Sequence, residues 1–261
     1  MVPTLLNKVL IVTGSTGIGA AAVRQAAAQG ARIIIATADE ISGWELAAET
    51  GAECWTGDLR RPAAAESVIS QALSKFGRVD AMFNIAGASG RRYGDGPIHE
   101  IADDAWQTTI DANLTVTFHM CRAALSRMIV QEADEDGLRG AIVSVGSVLV
   151  ESPESTHFAT HAYAAAKGAV AAMSRSMAAY YAPHGVRVNV IAPGLAGTPA
   201  GERTQSDPKM QEFLRKKQPL TSGTIDAENV ARTALFLLSR DARAITGEVV
   251  TIDAGWRFSE G

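Results

Sequence analysis

Tyr163 and Lys167 stand four residues apart, and Ser147 lies sixteen residues upstream of the tyrosine. Side chains at i and i+4 are neighbours on one helical face, so a helix here would hold phenol and ammonium together. An ammonium beside a phenol favours the phenolate and is expected to pull the tyrosine pKa down from about 10 toward neutrality. A tyrosine tuned in that way trades a proton with an alcohol or a ketone near neutral pH. Tyr-x-x-x-Lys alone is common by chance, so its weight depends on its surroundings.

A second group, Thr13-Gly14-Ser15-Thr16-Gly17-Ile18-Gly19, follows the apolar run Val9–Val12 and opens an alanine-rich stretch. A strand, a glycine turn and a helix start aim backbone N–H groups and the helix dipole at one point, which suits a pyrophosphate. The bland alternative is an ordinary glycine-rich turn. Asp39 lies twenty residues after Gly19, the spacing at which an acid contacts the adenosine ribose of a dinucleotide. Its alternative is a solvated loop aspartate. Neither Gly14–Gly19 nor Thr37–Ile41 carries an Arg or Lys, so nothing local would neutralise a 2′-phosphate, which Asp39 would repel. NAD is therefore expected, with NADP as the alternative.

These residues need a scaffold. The chain has 261 residues, which suits one α/β domain with a substantial core. With 24 basic and 28 acidic residues the net charge is −4, which points to neither nucleic acid nor an anionic membrane. Cys54 and Cys121 are too few for a disulfide framework and lack metal-ligand spacing, so a cytoplasmic setting is expected. No apolar run reaches the roughly 20 residues of a membrane span, and the first residues do not read as a secretory signal.

Short apolar runs alternate with helical ones. Strands are predicted at Val9–Val12, Arg32–Ala36, Glu53–Thr56, Val79–Ile85, Ala141–Val145, Val186–Ile191 and Val249–Ile252. Helices are predicted at Ile18–Gln29, Ser42–Glu49, Pro62–Lys75, Asp103–Val130, His161–Tyr181 and Ala227–Leu238. Continuous apolar strands are buried on both faces, and such alternation predicts a parallel sheet covered by helices on both sides. The expectation is an α/β fold: a single doubly wound Rossmann-type domain over 1–261, with about seven parallel strands. Pro199–Gly223, with three prolines and several charges, reads as a surface excursion, and 195–223 as a candidate substrate lid.

With these motifs in order, the chain resembles the compact branch of the short-chain dehydrogenase/reductase family. The resemblance runs from about Lys8 to Trp256. It includes Asp58-Leu59 after the third strand, Asn84-Ile85-Ala86-Gly87 after the fourth, Asn113 in the long helix, and Ser147 with Tyr163 and Lys167. Pro193-Gly194 with Thr198 follows the sixth strand, and Ile245-Thr246-Gly247 precedes the last. It implies Tyr163 as general acid/base and Lys167 lowering its pKa and holding the nicotinamide ribose. It implies Ser147 on the substrate oxygen and Asn113 supporting a water relay behind the lysine. Gly14, Ser15, Thr16, Gly17, Ile18 and Gly19 would receive the pyrophosphate, with Asp39 at the ribose and Asp58 and Leu59 at adenine. Asn84, Ala86, Gly87, Pro193, Gly194 and Thr198 would line the rest of the cofactor, Thr198 at the carboxamide. A homo-oligomer, tetramer or dimer, is implied by the same resemblance.

The chain departs from the family pattern in four places. The glycine motif T-G-x-x-x-G-x-G is one residue short, and it also fits G-x-x-G-x-x-A ending at Ala20. Thr37 stands where NAD-preferring members often carry an aspartate, and Gly146 replaces a serine often found beside the catalytic one. The Ser147–Tyr163 interval is longer than usual, placing Glu151, Glu154, His157, Phe158 and His161 beside the substrate pocket. His157 and His161 have i, i+4 spacing, but no third ligand is evident and no metal is expected. The loops Gly90–Pro97, Val148–Ala162 and Leu195–Gly223 would form the pocket. Gly90–Asp95, with Arg91, Arg92 and Tyr93, is read as a solvated loop, substrate contact being the alternative. Trp106 and Cys121 are expected on the buried side of the long helix.

The expected activity is NAD(P)-dependent interconversion of a secondary alcohol and a ketone, on a small-molecule substrate. A 3-oxoacyl-thioester reductase of the same family and a non-catalytic dinucleotide-binding scaffold are the alternatives.

Overall fold

The computed structural model describes residues 4–198 and 207–259. Its elements, in chain order, are β1 (Val9–Thr13), α1 (Ile18–Ala28), β2 (Arg32–Thr37), α2 (Glu40–Thr50), β3 (Glu53–Thr56), α3 (Pro62–Phe76) and β4 (Ala81–Asn84). Then follow α4 (Asp103–Ile110), α5 (Val116–Met128), β5 (Gly140–Val145), α6 (His161–Tyr181), β6 (Val186–Pro193) and the short β7 (Ala196–Gly197). The remainder is α7 (Pro208–Lys217), the short β8 (Ile225–Asp226), α8 (Ala227–Leu238) and β9 (Val249–Ile252).

Seven strands pair in the order β3-β2-β1-β4-β5-β6-β9, all parallel. Side chains alternate across a strand, so β1 feeds two cores. Leu10 and Val12 join Val23, Ala26, Val230 and Ala234 of α1 and α8 on one face. Val9 and Ile11 join Val68, Met120 and Ala124 of α3 and α5 on the other. The chain crosses from one half of the sheet to the other between β1 and β4, which are adjacent. Their carboxyl ends open a crevice where ligands of such sheets bind.

Three expectations need correction. The helix expected over Asp103–Val130 is two helices joined by a π-helical stretch, Asp111–Thr115. Trp106 is 37% exposed while Cys121 is buried, because α4 turns Ala105 and Thr109 inward instead. The excursion after Pro199 contains α7, whose first turn takes Pro208 and whose N-cap is Asp207, accepting from Lys209 N at 2.9 Å. Residues 199–206 of the expected lid lie outside the described residues.

Candidate active site

The site begins at the carboxyl ends of β1 and β4. Thr13 Oγ1 accepts from the backbone N–H groups of Ile85 and Ala86 at 2.8 and 3.0 Å. That hydroxyl sets the path of the chain through Ala86 and Gly87. The π-helical stretch re-aims Asn113, as π-bulges often do at functional positions. Asn113 is fully buried. Its Oδ1 accepts from Ala88 N at 3.3 Å, and its Nδ2 donates to Ala88 O at 3.0 Å and Thr109 O at 2.9 Å. A Cβ on Gly87 would lie 2.6 Å from Asn113 Oδ1 and 3.4 Å from Lys167 Nζ. Only glycine fits between them.

Ser147 starts the turn after β5, its Oγ accepting from Leu149 N at 3.2 Å. The same hydroxyl acts on the Tyr163 phenol, favouring its ionised form. Lys167 is buried, donates to Val145 O at 2.9 Å, and lies 5.7 Å from the Tyr163 ring centroid. Burial lowers the Lys167 pKa from 10.5 to about 8. Burial pushes the Tyr163 phenol up from 10.0 to about 12, with the Ser147 hydroxyl pulling the other way. The expected downward pull by Lys167 is not among the causes of this shift. The ammonium is turned toward Val145 O and faces the ring, and desolvation of a phenolate outweighs attraction at that range.

Ser147, Tyr163, Pro193, Gly194, Thr198 and Ile18 all line one cleft of about 570 Å³. Its far wall is a satellite cluster in which Val148, Met210, Leu214 and Trp256 are buried, with Leu149, Phe158, Leu195 and Phe213 packed against them. Phe158 and Phe213 meet Trp256 edge-on, with ring centroids 5.7 and 5.6 Å away. Trp256 Nε1 donates to Ser152 O at 3.2 Å, tying the long Ser147–Tyr163 interval to the segment after β9. Gln218, fully buried, clamps Leu195 from both sides, accepting from its N–H at 2.7 Å and donating to its carbonyl at 3.2 Å. A smaller cavity of about 30 Å³, lined by Lys8, Asp80, Arg187 and Arg240 among others, touches none of these residues.

The glycine turn fits a diphosphate. Gly14 has φ +114° and no atom within 4 Å of an added Cβ, so the turn is open on that side. A Cβ on Gly19 would lie 2.4 Å from Gly14 O, so the first turn of α1 sits directly under the loop. Gly17 takes φ +52° at the N-cap of α1, and with Thr16 it leaves backbone amides for an anion. Ser15 is engaged elsewhere: its Oγ is 2.9 Å from Thr37 Oγ1 and 2.6 Å from Ser42 Oγ. Asp39 is exposed and caps α2, accepting from Ser42 N at 3.2 Å. Hydrogen bonds from Ser42 hold its carboxyl below the usual range. Asp58 forms two charged hydrogen bonds of 2.9 Å with Arg60, which depress its pKa. The Leu59 side chain is taken up in the core. Asn84 is buried with its Nδ2 toward Cys121 Sγ at 3.3 Å and Ser144 Oγ at 3.4 Å, and its Oδ1 has no partner.

In the Gly90–Asp95 segment Arg91, Arg92 and Gly94 are exposed, as expected of a solvated loop, while Gly90 and Asp95 are buried. Arg91 lines the cleft and donates from Nη2 to His157 O. Asp95 is buried. Asp95 and Gln218 fall within loops expected to form the pocket but carry no role in the sequence, and Trp256 marks only the end of the resemblance; Thr13 is visible as part of the glycine motif but carries no role. His157 lies in a turn and His161 begins α6, so the two do not share a helical face. Among the described residues no His, Cys, Asp or Glu group is arranged for a metal.

The family profile described as Enoyl-(Acyl carrier protein) reductase matches residues 12–257. A protein of Xanthobacter autotrophicus, "Inactive 2-(S)-hydroxypropyl-CoM dehydrogenase 2", is 35% identical over 241 residues, covering 89% of this chain and 97% of its own. The 3beta-hydroxysteroid dehydrogenase 1 of Eggerthella lenta is 31% identical over 272 residues, covering 100% of this chain and 98% of its own. The crystal structure of gox2181 superposes with a TM-score of 0.87 at 28% identity, covering 97% of this chain and 98% of its own.

Proposed function

Because the chain belongs to the short-chain dehydrogenase/reductase family, we propose that it is a nicotinamide-dependent oxidoreductase interconverting a secondary alcohol and a ketone. One observation carries this reading: Ser147 and Tyr163 line one wall of a cleft of about 570 Å³, with buried Lys167 5.7 Å from the Tyr163 ring. The nicotinamide, when bound, supplies or takes the hydride.

The protein's own groups handle the proton. Tyr163 donates to the substrate oxygen in reduction and accepts from it in oxidation. Ser147 hydrogen-bonds that oxygen and stabilises charge developing on it. Lys167 spends one N–H on Val145 O, leaving two for ribose hydroxyls. Asn113 acts behind the lysine by fixing Ala88 and closing over Gly87. With its pKa near 12, the phenol is protonated at neutral pH, the form that donates.

Gly14–Gly19 receive the pyrophosphate through backbone amides, and Asp58 with Leu59 marks the adenine end. Asn84, Ala86 and Gly87 line one side of the cofactor, and Pro193, Gly194 and Thr198 the other. Asp39, with no cation in Thr37–Ile41, supports NAD over NADP. Exposed Trp106 and Phe118 support subunit contact along α4 and α5, in a tetramer or dimer that sedimentation would size. Cys54 and Cys121 are free and buried, which suits a cytoplasmic setting. Among the described residues no helix is long and apolar enough to cross a membrane.

The test is a panel of secondary alcohols and ketones with both cofactors, read at the reduced-nicotinamide absorbance band. Tyr163→Phe should lower turnover by orders of magnitude while NADH still binds. Unchanged turnover in that variant would refute the proton role.

A further inference from the structure

The helix that carries Tyr163 and Lys167 does not cap itself. Helix α6 runs for 21 residues from His161, and its N-cap residue, Thr160, makes no side-chain cap hydrogen bond. The Thr160 hydroxyl instead donates to Phe158 O at 3.3 Å. An N-cap side chain ordinarily accepts from the second or third N–H of the helix. Here those donors, Ala162 N and Tyr163 N, both go to Asp95, at 2.9 Å to Oδ1 and 2.9 Å to Oδ2.

The Asp95 carboxylate is held in that position. Asp95 is 7% exposed, and its N–H donates to Gly90 O at 3.0 Å. A Cβ on Gly90 would lie 2.3 Å from Asp95 Oδ2 and 2.6 Å from its Cβ, so only glycine leaves room beneath it. The same turn sends Arg91 to His157 O, fastening the stretched Ser147–Tyr163 interval a second time. A carboxylate at a helix N-terminus is also favoured by the helix dipole.

We propose that Asp95 is the positioning residue of the catalytic tyrosine: a cap supplied from 68 residues upstream that fixes the Tyr163 backbone against the Ser147 hydroxyl. This rests on the oxidoreductase reading for its kinetic consequence, but not for its geometry. The lengthened interval leaves α6 without a local cap, and Asp95 takes over that function. Removing the carboxylate frees the first turn to fray, and Tyr163 is its third residue. A misplacement on the order of 1 Å at a reacting group costs roughly a hundredfold in rate.

The experiment compares wild type, Asp95→Ala and Asp95→Ala/Thr160→Asp, the last offering a carboxylate from the helix's own N-cap position. In Asp95→Ala, kcat on a panel substrate should fall by roughly ten- to a hundredfold, with KM for the dinucleotide unchanged. Amide hydrogen exchange at Ala162 and Tyr163 should quicken by roughly tenfold or more. The double variant should recover most of both. Should Asp95→Ala not fold, Asp95→Asn keeps one acceptor oxygen and should lose protection at one of the two amides. Unaltered exchange at both amides, or a loss of kcat that the Thr160→Asp cap does not restore, overturns the proposal. If wild type turns over nothing in the panel, the oxidoreductase reading fails, while amide exchange still decides whether Asp95 holds the helix.

Discussion

Replacing Lys167 by methionine tests the electrostatics of the site without any substrate. Burial lowers the lysine pKa from 10.5 to about 8. Between those two values the unfolded chain holds a proton that the folded chain has released, so raising the pH through this window stabilises the folded state. Above 10.5 the ammonium imposes no penalty; below 8 the penalty is complete. At 1.36 kcal/mol per pKa unit, the full difference is roughly 3 kcal/mol. The methionine variant is neutral throughout and lacks this dependence. It also loses the hydrogen bond to Val145 O, a pH-independent loss of about 1 kcal/mol. Urea unfolding of both proteins, at one protein concentration, should show wild type gaining roughly 2 to 3 kcal/mol on the variant between about pH 7 and about pH 10. Tyr163 titrates mainly above that range and leaves the comparison clean. A wild-type-minus-variant difference that stays flat across the range would refute the placement of a buried, weakly solvated ammonium at this position.

Three further outcomes follow from the geometry. With Tyr163 near 12, the phenolate absorbance of wild type minus Tyr163→Phe should stay at baseline up to about pH 10 in the absence of cofactor; a phenolate step near neutrality would show that Lys167 dominates burial after all. Gly87→Ala places a methyl 2.6 Å from Asn113 Oδ1, and should cost about 1–3 kcal/mol of stability and weaken NADH binding, measured by quenching of tryptophan fluorescence. Asp39→Ala removes the cap of α2, and should lower the urea midpoint while narrowing the NADH-over-NADPH ratio of kcat/KM; an unchanged ratio would leave Asp39 as a cap only.

The sheet was legible because its strands are continuous apolar runs, and each such run in β1, β2 and β6 is buried on both faces. The order of the motifs located Ser147, Tyr163 and Lys167 because an i, i+4 pair and a strand-end serine are local patterns. What escaped was set by distance or by burial. The Asp95 cap spans 67 residues to Ala162, and no local pattern announces it. The tyrosine pKa turned on how much solvent the fold removes, which spacing does not encode. Helix α7 was hidden by Pro208, which reads as a breaker but occupies a first turn where no N–H is needed. Trp106 is exposed in the single chain because α4 packs the small residues Ala105 and Thr109 inward, and a large apolar side chain does not by itself mark which helical face a fold buries.

The hydrogen bond between Trp256 and Ser152 joins residues 104 positions apart, and this has a consequence for how the protein is made. Chains emerge from the ribosome amino end first. The glycine turn, its helix and the β4 end are all synthesised by residue 87, although α1 completes its packing only when Val230 and Ala234 of α8 arrive. The far wall of the cleft is completed later still. Phe158 and Phe213 have Trp256 as an edge-on partner, and until residue 256 is synthesised both rings lack that partner. A nascent chain therefore passes through a stage in which most of the fold has been synthesised but unsatisfied aromatic surface is displayed. At that stage chaperones, or other unfinished chains, would compete for the surface that later bounds the substrate.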